Sequence, residues 1–207
     1  MAPPRSSASV DVTRTANIVL VCGSAGSGKS AWVKQETKSH KRVVVWDCEQ
    51  EYCTLPNYVT VASLPELGLL LSKSKTGRFA YVPRSMDDFN TFCKMGFAWG
   101  NCTVIAEEIS SVTSPGKAPD GWGDLVRRGR KRGCSIYGVT QRPAESDKTI
   151  LGNASRVHVG RLTRSKDRAY MAAELDCKQA DLDVLLPLEW LEKQAATGVI
   201  LRGKVKF

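Results

Sequence analysis

Residues Gly23-Ser24-Ala25-Gly26-Ser27-Gly28-Lys29-Ser30 fit the pattern G-x-x-x-x-G-K-[ST] at every fixed position. The glycines of such a loop let backbone N–H groups turn inward around a polyphosphate. Lys29 then reaches the outer phosphates, and the Ser30 hydroxyl ligates Mg²⁺. The expected nucleotide contacts run from Gly23 through Ser24, Ala25, Gly26, Ser27, Gly28, Lys29 and Ser30 to Ala31. ATP with Mg²⁺ is the ligand these residues call for. Asn17-Ile18-Val19-Leu20-Val21-Cys22 before the loop reads as a buried strand. Ala31-Trp32-Val33-Lys34-Gln35-Glu36 after it opens a helix that extends to about His40. That order aims the positive end of the helix dipole at the anion.

A phosphate loop binds a nucleotide without hydrolysing it. Hydrolysis also needs a carboxylate for the metal and another to orient or deprotonate the attacking water. Cys102-Thr103-Val104-Ile105-Ala106 runs as a strand into Glu107-Glu108, about 80 residues beyond the loop. Successive residues at a strand end point to opposite sides, so the pair divides the work. Glu107 is assigned to Mg²⁺, directly or through water, and Glu108 to the lytic water. A third element is Thr140-Gln141-Arg142-Pro143, closing the strand that begins at Cys134. The Gln141 amide can hydrogen-bond the γ-phosphate or the water. The acidic turn Asp47-Cys48-Glu49-Gln50-Glu51-Tyr52 ends another strand, and solvation explains it better than catalysis.

These residues require a scaffold of strands alternating with helices. The strands are read at Arg42–Asp47, Val59–Ala62, Arg78–Pro83, Cys134–Thr140 and Asn153–His158, with a final hairpin or edge strand at Thr197–Arg202. Helices are read over Leu64–Ser72, Met86–Gly100, Trp122–Lys131 and Thr163–Leu175, and Leu182–Leu191 as a short turn or helix. The alternation predicts an α/β fold with a mostly parallel sheet. Residues 1–16, rich in Pro, Ser and Ala, are expected to form a flexible arm ahead of a single domain over 17–207.

With 207 residues, one core is expected. Seven cysteines without a CxxC pair, and only two histidines, argue against a zinc site and a disulfide framework. No signal peptide is expected, and no apolar run nears the roughly 18 residues of a membrane span. The expected setting is therefore soluble and reducing. The net charge of +9 points to an anionic partner, nucleic acid first. Between Leu125 and Arg142 lie Arg127, Arg128, Arg130, Lys131, Arg132 and Arg142 with no acid among them.

Taken in order, GSAGSGKS, CTVIAEE and RRGRKRGCSIYGVTQRP resemble the FtsK–HerA superfamily of DNA-pumping ATPases. Within it the chain is similar to the genome-packaging ATPases of membrane-containing icosahedral viruses. One departure is Glu107, where many members have aspartate. The resemblance implies a RecA-like, ASCE-type P-loop NTPase sheet, with the TQRP strand between the phosphate-loop and Glu-Glu strands. Gln141 would then lie beside Lys29 and Glu108.

It also implies a homo-oligomeric ring, a hexamer, whose sites are completed by a neighbour's arginine. The basic cluster agrees with this. On a helix Arg127 and Arg130 share one face and Arg128 and Lys131 the next, so Arg130, then Arg127, is the candidate finger. DNA, double-stranded and bound without sequence readout, would meet Lys117 in the Pro115–Gly121 loop together with Arg128, Lys131 and Arg132.

The function so implied is ATP-driven packaging of a viral genome into a preformed capsid, in host cytoplasm or on the virion. A capsid vertex or membrane-associated portal component would dock it. Open alternatives are a cellular or plasmid DNA pump, a nucleotide or small-molecule kinase, and a non-catalytic nucleotide-dependent DNA-binding protein.

Overall fold

The structure, a computed structural model, describes residues 17–206; the expected arm over 1–16 lies outside them. The strands are β1 (Ile18–Cys22), β2 (Arg42–Trp46), β3 (Val59–Val61), β4 (Gly77–Tyr81), β5 (Thr103–Ala106), β6 (Ser135–Thr140), β7 (Arg156–Gly160), β8 (Glu189–Gln194) and β9 (Ile200–Lys204). The helices are α1 (Lys29–Glu36), α2 (Leu64–Lys73), α3 (Asp88–Trp99), α4 (Asp120–Arg128), α5 (Lys148–Asn153), α6 (Ser165–Leu175) and α7 (Gln179–Asp183). All nine strands join one sheet in the order β3-β4-β2-β5-β6-β1-β7-β8-β9. Strands β1 to β7 pair in parallel, and β8 and β9 are added antiparallel.

The unbroken apolar runs of β1, β2 and β5 follow from burial on both faces. Ile18, Leu20 and Cys22 point into the larger core, formed with α2 to α6. Val19 and Val21 point the other way, against Trp32 and Val33 of α1. As the resemblance implied, β6 lies between β1 and β5. The carboxyl ends of β1, β2, β5 and β6 consequently open on one edge, where ligands of such sheets bind.

Four local expectations change. The segment read as a strand from Asn153 begins only at Arg156, because Lys148–Asn153 forms α5, capped by the Asp147 side chain on the Thr149 N–H. Leu182–Leu191 opens in the last residues of α7, which ends at Asp183, and then runs on into β8. The apolar alternation of β8 is hidden by Glu192, which is buried and bound by Arg156. The helix read to Lys131 stops at Arg128, and Gly129–Arg132 winds into a tighter 3₁₀ turn. Finally, α1 ends at Glu36 instead of near His40, where the Thr37 hydroxyl bonds back to the Val33 carbonyl at 2.7 Å.

Candidate active site

The loop from Gly23 to Gly28 leaves β1 and turns tightly into α1. Gly26 (φ 72°) and Gly28 (φ 90°) occupy the left-handed region, which costs a residue with a β-carbon about 1–2 kcal/mol. At Gly23 the constraint is space: a β-carbon would stand 2.3 Å from the Ser27 hydroxyl oxygen. The loop is tied to its neighbours. Gly23 N–H donates to the Thr140 carbonyl of β6 (3.2 Å) and Ser24 N–H to the Arg161 carbonyl after β7 (2.8 Å). The Lys29 ammonium donates to the Ser24 carbonyl at 3.2 Å, closing the loop on itself.

Beneath the loop, α1 is pinned by a buried network. Trp32 stacks on His158 with centroids 3.9 Å apart. Arg156 of β7 bonds Glu36 of α1 at 2.7 Å and Glu192 of β8 at 2.8 and 3.0 Å. Burial holds the His158 pKa below its ordinary value, although the adjacent Glu192 pulls the other way. The C-terminal strands close the loop's far side, where a β-carbon on Gly28 would come within 3.0 Å of Val205 and 3.1 Å of Leu188.

The cavity beside the loop measures about 340 Å³ and is lined by Ala25, Gly26, Gly28, Lys29, Ser30 and Ala31. Glu107, Glu108 and Gln141 complete it from β5 and β6, so the sequence-derived set meets in one place. The glutamates diverge by a different route from strand alternation. Regular β5 ends at Ala106, and Glu108 takes a left-handed conformation (φ 46°) before a 3₁₀ turn. Its Oε1 accepts hydrogen bonds from the Gln141 N–H (3.3 Å) and from the Ser110 hydroxyl. The carboxylate is therefore held by β6 while remaining on the cavity wall. The Gln141 turn is fixed by Thr140, whose hydroxyl accepts from the Arg142 N–H at 3.0 Å.

Glu107 is buried (3% exposed), and its Oε1 has no hydrogen-bond partner. Burial pushes its carboxyl up to about 8. The charge of Glu51 adds to this, while Tyr52 and Lys29 draw it down. An orphaned carboxyl oxygen facing a phosphate loop is what a divalent cation beside a nucleotide needs. The donor set of Glu107 and Ser30, both oxygen ligands, suits Mg²⁺.

Two cavity residues were not expected there. Glu49 and Glu51 also line it, presented by a turn whose backbone is gathered by Asp47. The buried Asp47 carboxylate accepts from the N–H groups of Glu51 (2.8 Å), Tyr52 (3.1 Å) and Cys53 (2.7 Å). The available signal was the Asp-x-Glu-x-Glu spacing on the carboxyl end of a strand that neighbours β5.

The remaining candidates lie elsewhere. Lys117 is exposed in the loop before α4, on the same edge as the nucleotide loop, since α4 begins where Gly121 N–H meets the Asn90 side chain at the start of α3. Arg127, Arg128, Arg130 and Lys131 are exposed at the opposite edge, where α4 ends and β6 begins. Arg128 pairs with Asp124 at 3.5 Å. Arg132 is half-buried, donating to the Ala98 carbonyl at 3.1 Å and lying over the Phe97 ring. The proposed DNA contacts thus divide between two edges about 20 Å apart, the length of a six-residue strand.

Parallel sheet, phosphate loop and paired glutamates together define a P-loop nucleotide-hydrolase site. No protein-family model matches the chain. Protein P9 of Pseudoalteromonas phage PM2 is 34% identical over 174 residues, covering 80% of this chain and 78% of that protein. Among solved structures, the genome packaging NTPase B204 from Sulfolobus turreted icosahedral virus 2, in complex with AMPPCP, superposes with a TM-score of 0.77 at 16% identity. The match covers 92% of this chain and 98% of that one. The bacterial conjugative coupling protein TrwBΔN70 gives a TM-score of 0.67 at 10% identity, over 91% and 84%. The chain belongs to one family with Protein P9 of phage PM2, and its fold is that of the P-loop NTPases.

Proposed function

We propose that the protein is the ATP-hydrolysing motor subunit of a viral genome-packaging machine, acting on double-stranded DNA as a ring. The observation that best supports this is the Glu108 carboxylate, bonded to the Gln141 backbone and sharing one cavity with Lys29. The loop's N–H groups and the α1 N-terminus would cradle the phosphates, with Lys29 leaving the Ser24 carbonyl for the outer ones. Ser30 and Glu107 would hold Mg²⁺, which when bound neutralises charge developing on the phosphate oxygens. Glu108 would orient and deprotonate the attacking water, and the Gln141 amide would bond that water or the γ-phosphate. The Ser110 hydroxyl bond keeps the Glu108 carboxylate aimed.

Arg130 and Arg127 cannot serve their own subunit's nucleotide, because they stand at the other end of β6. They can serve a neighbour's, which supports a head-to-tail ring with the finger acting in trans. A hexamer, and docking to a capsid vertex or portal component, extend the same reading. The test is steady-state ATP hydrolysis with and without double-stranded DNA, alongside oligomer mass. Hydrolysis stimulated by DNA in a ring-sized species is expected; no hydrolysis under any condition would overturn the reading.

A further inference from the structure

The helices of a parallel sheet run back against their strands, so their C-termini gather at the strands' amino edge. Here that edge carries lysines from separate connections: Lys38 after α1, Lys41 before β2, Lys73 at the end of α2, and Lys75 before β4. All four are exposed. Among the described residues none of them makes an ion pair.

Their backbone is rigidly assembled. The Arg78 guanidinium binds the Thr37 (2.9 Å) and His40 (2.7 Å) carbonyls on either side of Lys38. Gly77 N–H donates to the Lys41 carbonyl at 2.8 Å. The half-buried Arg42 side chain gathers the carbonyls of Ser74, Lys75, Trp99 and Gly100. Two arginines are thus spent on carbonyls to hold four lysines in one corner. The acids near this edge are each paired: Asp124 with Arg128, Glu36 at the end of α1 with Arg156, and Asp176 after α6 with Lys193.

We infer that this lysine corner, under β2 and β4, is the surface that grips the sugar-phosphate backbone of duplex DNA. The inference rests on the motor reading above and assigns the DNA contact that it left divided. Four unpaired like charges on a fixed backbone repel one another, and an anion of dense, regular charge relieves that repulsion. Duplex DNA presents one charge per about 1.7 Å of axis, dense enough to meet several ammonium groups carried by neighbouring strands about 4.8 Å apart. Ammonium groups on flexible stems suit contact with phosphates at any sequence, which a moving track requires. Arg127 and Arg130 sit two strands away, beside β6, and are left free to face a neighbouring subunit.

The experiment compares the assembled wild type with a variant bearing Lys38→Ala, Lys41→Ala, Lys73→Ala and Lys75→Ala. Duplex DNA binding is measured from low to moderate salt, with DNA-free ATP hydrolysis and oligomer mass recorded in parallel. The expected result is affinity lowered at least 100-fold at low salt, and a log K against log salt slope shallower by about 3–4. DNA-free turnover and ring mass stay as in the wild type, and DNA stimulation is lost. Unchanged DNA affinity and slope would overturn the inference. So would loss of ring assembly, which would make the corner a subunit contact, or loss of binding to anionic lipid vesicles with DNA binding intact. A wild type that hydrolyses no ATP would instead sink the motor reading.

Discussion

At the carboxyl edge of the sheet, Glu49, Glu51, Glu107 and Glu108 surround one lysine-bearing loop. At the amino edge, below β2 to β6, exposed lysines and arginines meet one acid among the described residues, Asp124. The acidic edge is enclosed and cross-braced. Asp47 gathers one turn, Glu108 ties β5 to β6, and burial raises the carboxyl of Glu107. The basic edge is open: Arg128 and Arg132 have partners, but Lys38, Lys41, Lys73 and Lys75 make no ion pair among the described residues, and around them it is the backbone that is fixed. One edge is built to hold a cation between carboxylates and phosphates. The other offers charge to phosphates brought from outside, whether a neighbour's nucleotide or a polymer. A carboxylate must be positioned to within a fraction of an ångström to direct a water, whereas a charge steering a polyanion needs no such precision. The difference in bracing follows.

The contrast breaks most readily at Arg130. Arg130→Ala should lower turnover of assembled rings by about 10³-fold or more while nucleotide binding persists, as measured by phosphate release and equilibrium binding of a labelled analogue. Wild-type turnover in intact rings would remove the basic edge from catalysis. On the acidic edge, Glu108→Gln should cost about 10²–10³ in turnover and leave ATP trapped on the protein, detected by retained nucleotide after rapid gel filtration.

Gly28→Ala meets both a positive φ and the Val205 side chain. Its Tm should fall by about 5 °C and its nucleotide affinity should weaken. A thermal melt with a nucleotide titration checks this, and an unchanged pair would mean that the loop is freer than drawn.

The smallest effect concerns pH. The pKa of His158 is lowered by burial, so the folded state binds fewer protons than the unfolded state below about pH 6.5. Its share of stability is fully present above that pH and is lost as pH falls. His158→Phe keeps a ring against Trp32 but cannot titrate, so its Tm should vary less between pH 7.5 and 5.5, by about 3 °C at most. Parallel curves would show that this histidine does not sense pH.

Much of this was legible from residue types. The apolar runs of β1, β2, β5 and β6 and the glycine pattern of the loop are local signals, and local signals survive translation into structure. Glu107, Glu108 and Gln141 were found because each ends such a run. That Glu49 and Glu51 line the cavity was not legible, because their placement depends on the Asp47-nucleated turn and on β2 lying next to β5, which is a tertiary fact. Strand β8 was missed because its inward position is filled by Glu192, a charge stabilised only by Arg156 from β7. The basic segment was conspicuous, but that α4 breaks at Arg128 and sends Lys117 and Arg130 to opposite edges required the fold.

The central claim is that the acidic edge of one subunit and the basic edge of the next make one hydrolytic site. Its most direct test mixes two inactive subunits, Glu108→Gln and Arg130→Ala, under conditions of subunit exchange. In random mixed rings about one interface in four joins an intact Glu108 to a neighbour's intact Arg130. ATP hydrolysis should therefore return to about a quarter of the wild-type rate at equal mixing, if each interface turns over independently. Mixed rings as inactive as either parent would contradict a site shared between subunits.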